Sequence, residues 1–476
     1  MSEPGDLGVA EAAALLADRT LSSVELVTAC LDRIRDRDGT HSHDGDPLSI
    51  NAWVRVYEED ALAAAAAADE RLSPKAVSRD GPAPPLCGIP IGLKDLFAVA
   101  GKPVTASSRL LHEVPTRHCD VWARLEAAGM VLLGHLHTHE FAAGGTTDQV
   151  ASPWSRDRSA GGSSGGSGAA LAARMVPAAT GTDTAGSLRI PSALCGTSTI
   201  KPTRGLVSMA GVVPLAATLD HAGPMARSLG DCGAVLAAMA GPDRRRPWSA
   251  LAAPPREPAV SPEPGSLAGA RLAVSPRLAR VELEPDVAAG FERALDACRA
   301  AGATLLDAAP AGARLDVDGD FLDVLTTDVL AYHRRFDGRR ELYRPSTRGW
   351  VEEGERRAVS GESYAAAQAR RWELTGVWAD WFAQERIAAV VEPTVPTVAP
   401  LRGHGYDEAG SDVALIAFTH YWDWTGLPVA AIPAGTGPLT GLPVGVSLIG
   451  PAGADWELLS LGTALQAVLG IPEPPR

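Results

Sequence analysis

Lysine is scarce in this chain. Of its 43 basic residues only four are lysines, Lys75, Lys94, Lys102 and Lys201. Arginine cannot give up its proton inside a protein, whereas a buried lysine can. A lysine in an apolar setting is therefore a better general-base candidate here than in a lysine-rich sequence. Contiguous positive charge is also lacking. The formal net charge is −14, and Arg244-Arg245-Arg246 is an isolated run beside prolines. Nothing could neutralise a phosphate backbone, which argues against nucleic acid as a main partner. The six cysteines, Cys30, Cys87, Cys119, Cys195, Cys232 and Cys298, show no CxxC spacing. They read as reduced, buried thiols of a cytoplasmic protein. No uncharged apolar run reaches the ~18 residues of a membrane span. The first residues, MSEPGDLGVAEAAALLADRT, lack the basic start and apolar core of a signal peptide. What remains is an ordinary globular composition, 46% hydrophobic and 21% charged over 476 residues. That length can bury a large core.

The most distinctive stretch is residues 159–203, SAGGSSGGSGAALAARMVPAATGTDTAGSLRIPSALCGTSTIKPT. Serines sit on a glycine backbone from Gly161 to Gly168, a small-residue helix follows, and a second turn runs Gly181-Thr182-Asp183-Thr184-Ala185-Gly186-Ser187. Glycine lets a backbone come close to a ligand. Two serine-bearing turns joined by a helix suggest a nucleophile with backbone N–H groups aimed at one point. A Gly/Ser linker would not run straight into apolar residues and an aspartate.

This stretch resembles, nearly residue for residue, the amidase signature family of serine hydrolases, which uses Ser–cis-Ser–Lys in place of Ser–His–Asp. The likeness continues from about Leu7 to about Ala464. It implies that Ser187 is the nucleophile, Ser163 the proton relay and Lys94 the base. Lys94 falls in Gly88-Ile89-Pro90-Ile91-Gly92-Leu93-Lys94-Asp95, a short apolar strand ending in a charged pair. Burial there would lower the lysine pKa. The same resemblance places an oxyanion hole at the N–H groups of Thr184, Ala185, Gly186 and Ser187, with Asp183 and Arg189 supporting the loop. The peptide before Ser163 is cis in relatives. No metal or cofactor is implied.

Other motifs compete for attention. Gly162-Ser163-Ser164-Gly165-Gly166 satisfies G-x-S-x-G, but the preceding SPWSRDRSAGG does not read as the strand that a nucleophile elbow requires. Ser198-Thr199-Ile200-Lys201 satisfies S-x-x-K without its companion motifs, and Lys201 matches a structural KPT segment of the family. His135, His137 and His139 would share one face of a strand and could bind zinc. The family has no metal there and only His139 matches it, so loop-edge histidines are the preferred reading. Asp220 beside His221 reads as structural.

The expected fold is α/β, one large domain with a mixed, mostly parallel sheet of roughly ten strands surrounded by helices. Residues 1–80 read as a helical scaffold opened by a capping box at Ser22–Glu25, 86–240 as the catalytic core, 241–268 as a Pro-rich crossover and 269–476 as the part that completes sheet and cleft. The loop carrying Phe141, Gly144 and Gly145 resembles one that lines the acyl side of the family site. Trp424 falls in FTHYWDW, with Phe418, Tyr421 and Trp422, before the closing GLP. Where relatives have Asn–Leu before that GLP, this chain has Trp424-Thr425. These aromatics would either line the cleft and favour aryl substrates or pack the core. The expected reaction is hydrolysis of a small-molecule amide, carbamate (urethane) or ester through an acyl-enzyme, with the substrate and water as partners and a homodimer as one assembly. The glutaminase component of a tRNA-dependent amidotransferase is the alternative, although Arg204 stands where that branch has a tyrosine after KPT. A non-catalytic scaffold would be expected to have lost a relay residue, and none is lost.

Overall fold

The computed structural model describes residues 3–243, 265–410 and 412–474. Thirteen strands can be followed along the chain: β1 Trp53–Val56, β2 Pro90–Lys94, β3 Val131–Leu136, β4 Ala151–Ser152, β5 Ser155–Ser159, β6 Ala178–Asp183, β7 Ser198–Lys201, β8 His221–Ala226, β9 Arg271–Val274, β10 Thr304–Leu306, β11 Ala389–Pro393, β12 Val429–Thr436 and β13 Pro443–Ile449. Eleven of them form one sheet in the order β1-β3-β2-β6-β8-β7-β12-β13-β11-β9-β10. Strands from both sides of 241–268 share it, so the chain is a single α/β domain. Most of the Pro-rich crossover lies outside the described residues.

The sheet is mixed, but the expected parallel majority does not hold. Six of the ten neighbouring pairs are antiparallel, most of them through the middle from β6 to β11. Parallel pairing is confined to β3-β2-β6 and β11-β9-β10. β2, β6, β7, β8 and β13 are buried along their whole length, so helices and loops cover both faces.

The N-terminal helices follow their sequence signals. Ser22 Oγ accepts from the Glu25 N–H (3.1 Å) and Glu25 Oε2 accepts from the Ser22 N–H (2.8 Å), the expected capping box opening the helix Ser23–Arg37. A further short helix of this scaffold runs Pro74–Asp80. Ser73 caps it and proline occupies the first turn, where its missing N–H costs nothing. The run expected not to be a strand holds β4 and β5, a two-stranded ribbon apart from the main sheet. It does not deliver Ser164 from the central sheet as a nucleophile elbow would.

The position of the site follows from the strand directions. β2 and β6 are parallel neighbours, so Lys94 and Asp183, which end them, come out at the same edge of the sheet. Carboxyl ends of parallel strands are where α/β sheets place their ligands. The small-residue helix Gly165–Ala172 packs beside both strands, carrying Ser163 and Ser164 at its entrance.

Candidate active site

Lys94 is wholly buried. Its Nζ lies 2.7 Å from Ser163 Oγ, 2.9 Å from Ser164 Oγ and 2.8 Å from Thr182 Oγ1. Among the described residues no carboxylate touches it. Asp95, next in sequence, turns away and accepts from Thr105 and Ser107, so the two are not an ion pair. Burial lowers the Lys94 pKa to about 7, against the pull of Asp183 and Asp220. Near neutrality much of this lysine is an amine. An amine offers two N–H donors and one lone pair to three hydroxyls, so one hydroxyl can point its proton at nitrogen.

Lys201 is buried equally, and burial lowers it to about 7 as well. Its Nζ reaches the Pro202 carbonyl (3.3 Å) and no serine. Ser198, the other member of the S-x-x-K pattern, bonds to the Arg227 carbonyl and to Gln466. What separates the two lysines is therefore the hydroxyl cluster, not burial.

Ser163 is held by its backbone. Its carbonyl accepts from the His139 N–H (2.9 Å) and from Thr147 Oγ1 (3.1 Å), and the Gly162–Ser163 peptide is cis. Gly162 can be nothing larger, since a Cβ there would lie 2.2 Å from the Thr146 carbonyl oxygen. Ser187 is tied to the same segment, because its carbonyl accepts from the Ser164 N–H (3.3 Å).

The turn from Asp183 to Arg189 is fixed by charge. Asp183 accepts from the Gly186 N–H (2.5 Å), the Leu188 N–H (3.2 Å) and Arg189 Nε (2.8 Å) and Nη2 (3.0 Å). Burial would raise its pKa, but the Arg189 guanidinium holds the carboxyl below its usual range. Arg189 also meets Asp423 Oδ2 (2.5 Å), whose carboxyl burial holds above the usual range. Thr184 Oγ1 donates to Asp220 Oδ1 (2.6 Å), and Asp220 is pushed up to about 6 by burial. Asp220 thus anchors the turn, the structural part expected of it.

Of the four N–H groups expected to face a carbonyl oxygen, the one on Gly186 is not free. It is turned onto Asp183, and Gly186 has φ +139°, a conformation that side chains resist. Among the described residues no protein acceptor takes the N–H of Thr184, Ala185 or Ser187.

Ala185 and Ser187 open onto a cavity of about 620 Å³, mouth included. It is lined by Ala142, Gly144 and Gly145 of one loop, by Leu322, Leu325, Val329 and Trp350 of later helices, and by Ile416 and Asp412. Gly144 and Gly145 thus lie where the sequence suggested. Phe141 does not. Its ring packs against His333 (4.8 Å between centroids) and Phe336 (5.5 Å), buried behind the loop. Trp424 is not in the wall either. It is 1% exposed, edge-on to Phe321, with the Arg371 guanidinium over its ring. Phe418, Tyr421 and Trp422 are equally buried. Of the two readings open for these rings, cleft or core, the structure shows the core.

The three histidines have separate partners. His135 bonds Tyr57 and the Phe97 carbonyl, His137 bonds Ser107, and His139 bonds the Thr146 carbonyl and Ser346. β3 ends at Leu136, so only His135 is on the strand. Sequence reasoning missed Thr182 and Ser164 as partners of the lysine, although both adjoin singled-out residues. It also missed Asp423, Asp412 and the wall residues from 322 to 350, for which no local motif exists.

Known proteins share this arrangement of the chain. The Amidase family model matches residues 25–459. The chain is 35% identical over 498 residues to a glutamyl-tRNA(Gln) amidotransferase subunit of Anaeromyxobacter sp. (strain K), covering 99% of this chain and 98% of the relative. The peptide amidase of Stenotrophomonas maltophilia superposes with a TM-score of 0.79 at 27% identity, covering 99% of this chain and 98% of that one. A chain of a vestigial protein complex linked to the origins of an s-triazine catabolic enzyme superposes with a TM-score of 0.85 at 28% identity, over 99% and 100%. Since the family match takes in both serine turns, the buried lysine and the closing strands, the chain belongs to the amidase signature family.

Proposed function

We propose that this chain is a stand-alone hydrolase of small-molecule amides working through an acyl-enzyme, and the observation that carries the reading is Lys94. Serine is a poor nucleophile until a base takes its proton. Ser187 Oγ attacks the carbonyl carbon. Its proton passes to Ser163 Oγ as the Ser163 proton passes to the lone pair of Lys94 Nζ. The N–H groups of Thr184, Ala185 and Ser187 receive the oxyanion. Asp183 and Arg189 keep those groups in place. When the tetrahedral intermediate collapses, the amine leaves with the proton returned through Ser163. Water then enters by the same route and releases the acid, with no metal or cofactor in the cycle. Carbamates and esters can follow these steps, so urethane and aryl-amide hydrolysis belong in the same panel.

The alternative, the glutaminase component of an amidotransferase, has the 35% identical relative in its favour. The cavity speaks against it. Among the described residues no Lys, Arg or His side chain lines the walls, so the α-carboxylate of glutamine would have no counter-charge. An apolar acyl group suits those walls better. Six free, buried cysteines favour a reducing, cytoplasmic setting. No helix among the described residues is long and apolar enough to cross a membrane. A homodimer is one assembly to test by size exclusion.

The test is a panel of aliphatic amides, aryl amides, carbamates, esters and glutamine, with a fluorophosphonate probe and intact mass. Wild type should label and turn over neutral amides, while Ser187→Ala should do neither. Labelling that persists in Ser187→Ala, or turnover of glutamine alone, would overturn the reading.

A further inference from the structure

Among the described residues, every one lining the cavity is apolar, small or hydroxylic except Asp412. Its Oδ2 accepts from the Thr146 N–H (2.8 Å). Among the described residues, no Lys, Arg or His forms an ion pair with it. Burial raises its pKa and the Asp148 carboxylate adds to this, against the backbone N–H groups of Gly145, Thr146 and Asp412 itself, which favour the charged form. Those N–H groups hold the carboxylate at the cavity but leave its negative charge without a counter-ion beside apolar walls, a place where a cationic group would be favoured. The turn it holds could be pinned by a neutral acceptor, as Asn51 Oδ1 pins the Ser42 N–H (2.8 Å) elsewhere in this chain.

We infer that Asp412 is a specificity residue and that the substrate class is amides whose apolar acyl chain ends in a primary amine, the ammonium meeting Asp412 while the carbonyl meets Ser187. This rests on the proposed hydrolase reading and adds the substrate class to it. The apolar walls take the methylene chain, and the carboxylate takes the cationic end by a charge-assisted hydrogen bond. A free α-amino acid does not fit the same description, because its carboxylate would enter beside Asp412.

The experiment is a homologous series of straight-chain acyl anilides, each made with and without a terminal amine. The quantity read is the ratio of kcat/KM, amine over methyl, at each chain length. At the best length wild type should favour the amine by on the order of tenfold or more, a charge-assisted bond in a partly buried site. The gain should come through KM. In Asp412→Asn and Asp412→Ala the ratio should fall towards one. A ratio near one at every length in wild type, or a preference that survives in Asp412→Asn, would overturn the proposal. If the variants fail to fold, the wild-type series still decides it. If no anilide is turned over, the hydrolase reading fails. The specificity claim is then read from how well each unhydrolysed amide protects Ser187 from the fluorophosphonate probe, with equal protection by both members of a pair counting against it.

Discussion

At the scale of single residues, two buried charges organise the site, and each gives a prediction. Lys94 is lowered to about 7 by burial, so it takes up a proton as pH falls through that value and can no longer receive one from Ser163. The kcat/KM profile should therefore rise with pH through about 7 and level off above it. Lys94→Arg keeps the charge but cannot accept the proton, and should lose a factor of roughly 10²–10⁴. Stopped or steady-state kinetics across pH reads both. Arg189 is the second case. It lies between Asp183 and Asp423 with all three side chains buried. Arg189→Met leaves two carboxylates without a cation and should cost about 3–5 kcal/mol in urea unfolding. Arg189→Lys should recover little of this, because one ammonium cannot copy bonds from Nε and Nη2 to two acids. Full stability in the methionine variant would show that the pair is not what holds the turn.

At the scale of elements, hydrophobic stretches settle in the core even when they stand next to the site. Trp424 belongs to the short helix His420–Thr425, and every residue of that helix is buried. Trp424→Ala should lower stability by about 3–5 kcal/mol and slow aryl and aliphatic substrates alike. Thermal unfolding beside two substrates checks this, and a loss confined to aryl substrates would put the ring back in the cleft. The same element shows what could be read beforehand. The two serine turns of the proposed site were legible because each is local: Gly162-Ser163 and Asp183–Ser187 carry their constraints within a few residues. Helix starts such as Ser22–Glu25 were legible for the same reason. The cavity wall was not, because Leu322, Val329 and Trp350 reach Ser187 only through the packing of distant helices. The burial of Phe141 was equally hidden, since its ring's fate depends on His333 and Phe336. Strand direction also escaped local reading. β7 and β8 are antiparallel neighbours between β6 and β12, an order that nothing within either strand specifies.

At the scale of the whole molecule, the sheet makes the two halves of the chain dependent on each other. β12 pairs with β7, and β13 and β11 complete the sheet beyond it. A chain ended at residue 240 would leave β7 as an unpaired apolar edge. It should fail to give a protease-resistant, cooperatively melting product, and a well-folded fragment in circular dichroism would refute that. The crowding around Gly162 and Gly186 has a separate consequence for the evolution of the protein. At Gly162 a single added methyl group would strike main chain, and at Gly186 it would strike Thr419. Variation is therefore shut out of the reaction machinery by lack of room, whatever selection favours. Leu322, Leu325, Val329 and Trp350, on helices that carry none of the proposed reacting groups, meet the cavity with side chains instead of close-packed main chain. A laboratory library aimed at new substrates should place its diversity there and leave the serine turns untouched.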